Sequence, residues 1–138
     1  MTIFLKSSKG YNFNQSIFKN YPDRKYLKKL CKLNRTLLEY ELEGTTVGVA
    51  VLSKKDNFFK INLMLTHGFI RRRHIASALM KVIFNILNDD FFDANILYTV
   101  CTTKFDTSSY QQFLIKHGFV LSTIKANGEL VYTYEKSV

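Results

Sequence analysis

Proline, cysteine and long apolar runs are all scarce in this sequence, and each shortage removes a class of protein. One proline and six glycines among 138 residues exclude a low-complexity or collagen-like chain. Two cysteines, Cys31 and Cys101, do not make a disulfide framework, and without a C-x-x-C or Cys/His cluster we expect no metal site. No apolar run approaches the roughly 20 residues that a membrane-spanning helix needs. The opening MTIFLKSSKG lacks the features of a signal peptide, so we expect a cytoplasmic location.

Acidic residues are also few. The chain has 11 Asp and Glu against 20 Lys and Arg, which gives a formal net charge of +9. This excess points to an anionic partner such as nucleic acid, an acidic protein surface, an anionic membrane or a polyphosphate ligand. A basic surface that serves only solubility is the alternative. The length and the 46% hydrophobic content fit one domain with one core over residues 1–138.

Hydrophobic periodicity and turn residues predict an α+β protein with the order β-α-α-β-β-β-α-β-α-β-β. The sheet should be mostly antiparallel and flanked by helices, with one parallel junction across a helical crossover. Asn127-Gly128 predicts a hairpin near the C-terminus. Predicted helices cover 13–20, 22–35, 73–88 and a segment ending at 116. Predicted strands cover 2–5, 38–42, 45–53, 58–66, 96–102, 119–125 and 129–135.

The predicted helix 22–35 places Pro22 in its first turn and separates apolar from basic residues. One face carries Tyr26, Leu27, Leu30 and Leu33. The other face carries six basic residues: Arg24, Lys25, Lys28, Lys29, Lys32 and Arg35. This pattern is typical of a solvated helix face over a core, and it also fits a surface that binds an anionic partner.

The stretch HGFIRRRHIASALM, residues 67–80, runs three arginines directly into an apolar helical pattern. The first N–H groups of a helix have no intrahelical partner and carry a partial positive charge. Together with arginines they suit a phosphate, and the small residues 76–78 leave room for one. Arginines that simply face water are the alternative interpretation.

Two motifs of this chain resemble those of the GCN5-related N-acetyltransferases (the GNAT superfamily). Residues 71–76 are similar to motif A, Arg/Gln-x-x-Gly-x-Gly/Ala, with Arg71, His74 and Ala76 at the defined positions. TSSYQQFLIKHGF, residues 107–119, is similar to motif B, Asn-x-x-Ala-x-x-Phe-Tyr-x-Lys-x-Gly-Phe. The predicted element order is similar to the GNAT order over nearly the whole chain.

This resemblance implies an acetyl-CoA-dependent N-acetyltransferase that transfers an acetyl group to a primary amine by direct attack in a ternary complex. It implies that the strands ending near Thr66 and Cys101 splay apart at the cofactor site, where pantetheine bonds to the first strand. No membrane partner is implied. The implied cofactor contacts are Met64, Leu65, Thr66, Arg71, Arg72, Arg73, His74, Ile75, Ala76, Ser77, Thr107 and Tyr110.

The candidate catalytic residues are Glu41, His67 and Tyr110. A lysine-like amine is mostly protonated at neutral pH, so a base assists its attack. Glu39 and Glu41 share one strand face, and His67 ends the strand before the arginine loop; a solvated face and a loop residue are the plain alternatives. Tyr110 is the candidate acid, one helical turn before position 114, or it packs against the cofactor.

Several positions depart from the family pattern and leave alternatives open. His74 replaces a glycine, Thr107 an asparagine, Tyr110 an alanine, and Leu114 the tyrosine that often protonates the departing thiolate. A GNAT-like module that binds CoA without catalysis is therefore one alternative. An acetyltransferase for an RNA-linked amine is another, because of the basic helix. The chain is expected to be a monomer or a homodimer, and strand 130–135 is apolar enough to pair across a dimer.

Overall fold

The computed structural model describes residues 2–67, 73–89, 94–101 and 108–136. The chain divides into two compact units. The first is drawn from Met1–Ser53 and Asn62–Ile86, and the second from Lys54–Ile61 and Leu87–Val138. The predicted single domain over residues 1–138 stays a prediction.

The first unit contains two complete strands, most of a third, the second half of a fourth, two helices and a 3₁₀ turn. Strand β1 (Thr2–Ser7) pairs antiparallel with β2 (Thr36–Leu42), and β2 pairs antiparallel with β3 (Thr45–Lys55). A β-bulge interrupts the β2–β3 ladder next to Tyr40 and Glu41. The elements are β1 (Thr2–Ser7), the 3₁₀ turn (Ser16–Phe18), α1 (Arg24–Lys32), β2 (Thr36–Leu42), β3 (Thr45–Lys55), β4 (Phe58–Thr66) and α2 (Arg73–Leu87).

The second unit contains the first half of β4 and the remaining strands. Phe58–Ile61 of β4 pair in parallel with Ile96–Thr99, and the rest of the unit is antiparallel. Its other elements are β5 (Ile96–Cys101), α3 (Ser108–Lys116), β6 (Val120–Ile124) and β7 (Leu130–Glu135). Hydrogen bonding links all seven strands in the order β1-β2-β3-β4-β5-β7-β6. The predicted fold class, a mostly antiparallel mixed sheet with helices, is confirmed.

Each face of the sheet in the first unit is covered by a different helix. On one face, Leu27 and Leu30 of α1 join a buried cluster with Phe18, and the strand residues of that cluster are Leu37, Val49, Val51 and Leu63. The Tyr26 hydroxyl also donates to the carbonyl of Asn62 in β4 (3.4 Å). Helix α2 covers the other face, where Ile75 and Leu79 lie over β3.

The N-terminal helices differ from those that the sequence predicts. The helix predicted over 13–20 is only the 3₁₀ turn, in which Ile17 and Phe18 are buried. Pro22 does not lie in the first turn of α1, because the Asp23 side chain accepts a hydrogen bond from the Tyr26 amide (3.0 Å) and caps the helix there. The helix ends at Lys32 rather than 35.

The C-terminal strand is not free to pair across a dimer. Strand β7 has β5 on one edge and β6 on the other, so both of its hydrogen-bonding edges are occupied. The apolar character of residues 130–135 therefore reflects an internal position in the sheet, with Tyr132 buried.

The two cysteines lie at different depths in the structure. Cys101 is buried in β5 and Cys31 is half-buried, and neither forms a disulfide. Among the described residues, no group of three or more His, Cys, Asp or Glu side chains could hold a metal ion. In the same residues, no helix has the length and apolarity that crossing a bilayer requires.

Gly48 lets α2 lie directly on β3. A Cβ atom at this position would stand 2.8 Å from Ile75 Cγ2 and 3.1 Å from Leu79 Cδ1, both side chains of α2. We expect Gly48→Ala to lower the free energy of unfolding by about 1–3 kcal/mol through overpacking, measured by urea denaturation.

Ile75→Ala provides the control, because it removes the nearest colliding atom. In that background Gly48→Ala should destabilise much less than in the wild type, which gives a coupling energy in a double-mutant cycle. Strictly additive effects would contradict the close approach of α2 to β3.

Candidate active site

The end of β4 leads into the predicted cofactor loop. Met64, Leu65, Thr66 and His67 are half-buried, and the His67 amide donates to the carbonyl of Val47 (2.8 Å). Val47 lies at the bulge of β3, where Tyr40 pairs with Gly48 and Glu41 with Thr46. The bulge therefore supplies the carbonyl that fixes the backbone of His67.

The predicted loop continues into the first turn of α2. Arg73 is the first residue of the helix, and no acidic residue lies in its first turn. His74 is exposed, and Ala76 and Ser77 are half-buried. Ile75 is completely buried against β3, so any part that it takes in cofactor binding is limited to its backbone. Three predicted contacts, Arg71, Arg72 and Thr107, lie outside the described residues.

Glu39 is the centre of a buried polar cluster in the first unit. Its side chain is almost completely buried, and its carboxylate accepts hydrogen bonds from Lys6 Nζ (2.8 Å), Thr46 Oγ1 (3.1 Å) and the Tyr11 hydroxyl. Lys6 is exposed, so water weakens its contribution. The hydroxyls of Tyr11 and Thr46 share with Lys6 the stabilisation that offsets the burial of this charge.

The cluster shifts two pKa values in opposite directions. Burial alone would raise the pKa of Glu39, but the hydrogen bonds from Lys6, Tyr11 and Thr46 outweigh it and hold this pKa below its ordinary value. Burial, together with the hydrogen bond to Glu39, raises the pKa of Tyr11. Glu39 is thus ionised with its oxygens occupied, and Tyr11 keeps its proton. This state suits an anchor better than a proton acceptor.

The cluster continues from Tyr11 towards His67. Gln15 Nε2 donates to the Tyr11 hydroxyl (2.9 Å) and to the carbonyl of Asn12 (3.0 Å). The next residue, Ser16, places its Oγ 3.5 Å from His67 Nε2. Segment 11–16 is therefore tied to the strands at Glu39 and contacts the histidine at the end of β4.

Glu41 lies two residues beyond Glu39 on the same strand face, in a different environment. It is half-buried, and within the described ranges no hydrogen bond or ion pair is found for its side chain. A fully solvated strand face is wrong for Glu39, because the segment around Tyr11 covers it. Glu41 keeps access to solvent that Glu39 has lost.

Helix α3, in the second unit, carries the predicted acid and the substituted tyrosine position. The ring of Tyr110 is half-buried and stacks on Phe113, with centroids 6.4 Å apart and planes at 17°. Leu114 is completely buried. The side chain of Gln111 accepts from the Tyr132 hydroxyl (3.0 Å), which joins α3 to β7. Position 114 therefore belongs to the core, and Tyr110 is the hydroxyl on the same side of this helix.

The sequence did not indicate the residues that hold Glu39. Lys6 and Tyr11 lie 33 and 28 positions from Glu39 along the chain, so no local spacing connects them. Thr46, Gln15 and Ser16 belong to segments that carry no motif. Only the alternation of Glu39 and Glu41 gave a signal, and it did not separate the buried glutamate from the accessible one.

Comparison with known proteins rests on structure alone. No protein-family model and no curated protein matches the sequence. The structure is similar to a GNAT family acetyltransferase from Elizabethkingia anophelis with acetyl-CoA bound (TM-score 0.74, 14% identity, covering 96% of this chain and 97% of that one). It is also similar to the PaiA N-acetyltransferase from Thermoplasma acidophilum in complex with coenzyme A (0.71, 12%, 98% and 99%). A third similar structure is the ribosomal-protein-S18-alanine N-acetyltransferase from Escherichia coli (0.76, 10%, 99% and 96%).

The chain has the GNAT fold. Identities of 10–14% over nearly the full length of both chains mean that the backbone architecture is shared while few side chains are. In this GNAT fold the predicted order of strands and helices is confirmed, with the first predicted helix reduced to a 3₁₀ turn.

The buried cluster predicts unequal effects for two glutamates on one strand. We expect Glu39→Gln to lower the free energy of unfolding at pH 7 by about 2 kcal/mol, since a neutral amide accepts the same hydrogen bonds less well. Glu41→Gln, the matched control, should change it by no more than about 0.5 kcal/mol. Urea denaturation of both variants measures the difference, and equal effects would contradict the cluster.

The difference in stability between the wild type and Glu39→Gln should depend on pH. Because the pKa of Glu39 is lowered in the folded protein, its stabilisation is complete above the unfolded pKa of about 4.3 and is lost as the pH falls through the folded pKa. The wild type and Glu39→Gln should therefore converge in stability below pH 4. A gap that widens on acidification would show that the pKa shift has the opposite sign.

Proposed function

We propose that this chain is an acetyl-CoA-dependent N-acetyltransferase, one domain over residues 1–138, that acetylates a primary amine in a ternary complex. The observation that carries the proposal is the first turn of α2. In this chain, which has the GNAT fold, the turn follows the end of β4, contains no acidic residue and includes the small residues Ala76 and Ser77. Two thiols that form no disulfide are consistent with a cytoplasmic location.

The residues around this turn fit the chemistry of a pyrophosphate. Amides of the first helical turn point away from the helix without intrahelical partners, and the macrodipole favours an anion there. The three arginines in the sequence at 71–73 add positive charge. A large or acidic side chain at position 76 would oppose the binding of an anion, and alanine is neither large nor acidic. His74 is exposed, so its side chain is in contact with solvent.

The backbone at the end of β4 fits the extended arm of the cofactor. The parallel ladder of β4 covers only Phe58–Ile61, so within the described residues Met64, Leu65 and Thr66 take no part in it. Their unused backbone groups can bond an extended pantetheine as a neighbouring strand would. Two or three charge-assisted bonds of about 1.5–3 kcal/mol each do not offset the 4–15 kcal/mol of association alone, so these strand contacts are required as well.

The reaction forms a bond between the amine nitrogen and the acetyl carbonyl carbon, and breaks the bond from that carbon to sulfur. The amine must lose one proton before or during attack, and the thiolate gains one. Holding a lysine-like amine in its neutral form at pH 7 costs about 4.6 kcal/mol. A residue of this chain that accepts the proton therefore raises the rate.

Glu41 and His67 are the proposed proton acceptors. Both are half-buried, which leaves them accessible to an acceptor or to a bridging water. His67 is held at the end of β4 by its amide bond to Val47. Glu39 is not proposed as the base, because its lowered pKa and occupied oxygens make it a poor proton acceptor.

Tyr110 is the proposed acid for the departing thiolate. Tyr110 lies on α3, where Leu114 occupies the position of the family's tyrosine. Leu114 is buried and has no proton to give. This burial also favours a second candidate function, a GNAT-like module that binds CoA without transfer. Thiol release from acetyl-CoA in the presence of a broad panel of amines separates the two functions.

Acetyl-CoA binding tests the proposed cradle directly. We expect saturable thermal stabilisation, about 2.7 kcal/mol at 100 times Kd. Ala76→Glu should abolish most of it by placing a carboxylate at the helix end, and Arg71→Ala should weaken it. Asn85→Glu makes the same charge change at an exposed position of the same helix and should retain the stabilisation. No stabilisation of the wild type at millimolar acetyl-CoA would reject the proposal.

The proposed base predicts a change in kcat. With an accepted amine, His67→Gln or Glu41→Gln should lower kcat by about 10²–10⁴, while acetyl-CoA stabilisation is kept. His117→Gln, a histidine at the end of α3, is the control and should leave kcat unchanged. Unchanged rates in both variants would show that the proton goes elsewhere.

A further inference from the structure

The exposed face of α1 is entirely basic. Nine residues form this helix, and the five that are exposed are all lysine or arginine. The remaining four pack towards the core: Tyr26, Leu27, Leu30 and Cys31. The exposed five are Arg24, Lys25, Lys28, Lys29 and Lys32.

These five side chains form one continuous stripe. At 100° per residue, positions 24, 25, 28, 29 and 32 fall within an arc of about 140°. At 1.5 Å per residue the stripe is about 12 Å long, and residues four apart repeat about every 6 Å along it. The charges thus form an extended row rather than a compact pocket.

Two further lysines extend the stripe at its ends. The Arg24 side chain donates to the carbonyl of Lys19 (3.4 Å), which joins the segment before α1 to its N-terminal end. At the other end, the Gly10 amide donates to the carbonyl of Cys31 (2.9 Å), which brings the backbone beside Lys9 to the last turn. Lys9 and Lys19 are both exposed.

The stripe places like charges close together on the helix. Arg24–Lys28, Lys25–Lys29 and Lys28–Lys32 are like charges four residues apart, which repel. In the first turn, Arg24 and Lys25 oppose the helix dipole, whereas Lys29 and Lys32 in the last turn agree with it. In the part of the chain that the structure describes, no carboxylate forms an ion pair with any of the five. A bound polyanion would relieve this repulsion.

We propose that the basic face of α1, extended by Lys9 and Lys19, binds the phosphate backbone of an RNA strand. Protein-binding surfaces are depleted in lysine and rely on aromatic and apolar anchors, and the exposed face of α1 has neither. Interfaces with nucleic acid are strongly positive and polar, as this one is. RNA is chosen over DNA because aminoacyl esters give RNA an aliphatic amine; this choice rests on the proposed N-acetyltransferase function.

Fluorescence anisotropy with a labelled single-stranded RNA of 20 nucleotides, without acetyl-CoA, tests the proposal. About five phosphate contacts predict a slope of roughly −3.5 for log K against log salt, or about 100-fold weaker binding at 200 mM than at 50 mM. The triple variant Lys25→Gln, Lys28→Gln, Lys29→Gln should fold, because glutamine is a good helix former and the repulsion falls. It should flatten the slope by about 2 units.

The control neutralises three exposed lysines elsewhere: Lys54→Gln, Lys55→Gln and Lys116→Gln. It has the same net charge as the helix variant and should keep the wild-type slope within about 0.5 units. Equal loss in both variants, absence of binding at 50 mM salt, tighter binding of the matching DNA, or equal binding of polyglutamate would each overturn the proposal. Acetyl-CoA stabilisation, measured in parallel, distinguishes a failure of RNA binding from a failure of the enzymatic function.

Discussion

The close approach of α2 to β3 at Gly48 is the constraint on which the proposed cofactor site depends. Because position 48 has no side chain, Ile75 and Leu79 lie directly on the strand, and this contact fixes the axis and the start of α2. A helix held farther from the sheet would move its first-turn amides, which are proposed to bind the phosphate. Tight packing in the core thus positions the proposed anion site at the surface.

On the opposite face of the sheet in the first unit, the buried polar cluster around Glu39 lies next to the proposed proton acceptors. Glu39 stabilises the segment 11–16 through Tyr11, and this segment contacts His67 through Ser16. A buried, ionised anchor and an accessible Glu41 two residues later serve different purposes on one strand. Burial and hydrogen bonding separate two glutamates that have the same chemical nature. The bulge at Val47 belongs to the same arrangement, since its carbonyl orients the backbone of His67.

Local sequence patterns predicted the strands and helices well, but they did not predict contacts between distant segments of the chain. Strand 58–66 and α2 were predicted almost to the residue, because alternation and helical periodicity are strong there. The helix predicted over 13–20 is a 3₁₀ turn, since burial of Phe13, Ile17 and Phe18 outweighs helical propensity. Two of the partners of Glu39, Lys6 and Tyr11, are 33 and 28 positions away along the chain, and no spacing rule connects them to it. The composition of strand 130–135 fits either an edge or an internal position, and only its pairing with β5 and β6 shows that it is internal.

A crystal structure of the protein soaked with acetyl-CoA tests the central claim most directly. We expect the pyrophosphate at the N-terminus of α2, with first-turn amide nitrogens about 2.9 Å from its oxygens. We also expect the pantetheine arm along the backbone of Met64–Thr66 and the acetyl group near His67. A cofactor bound on another surface, or an α2 N-terminus that stays empty at saturating acetyl-CoA, would contradict the account.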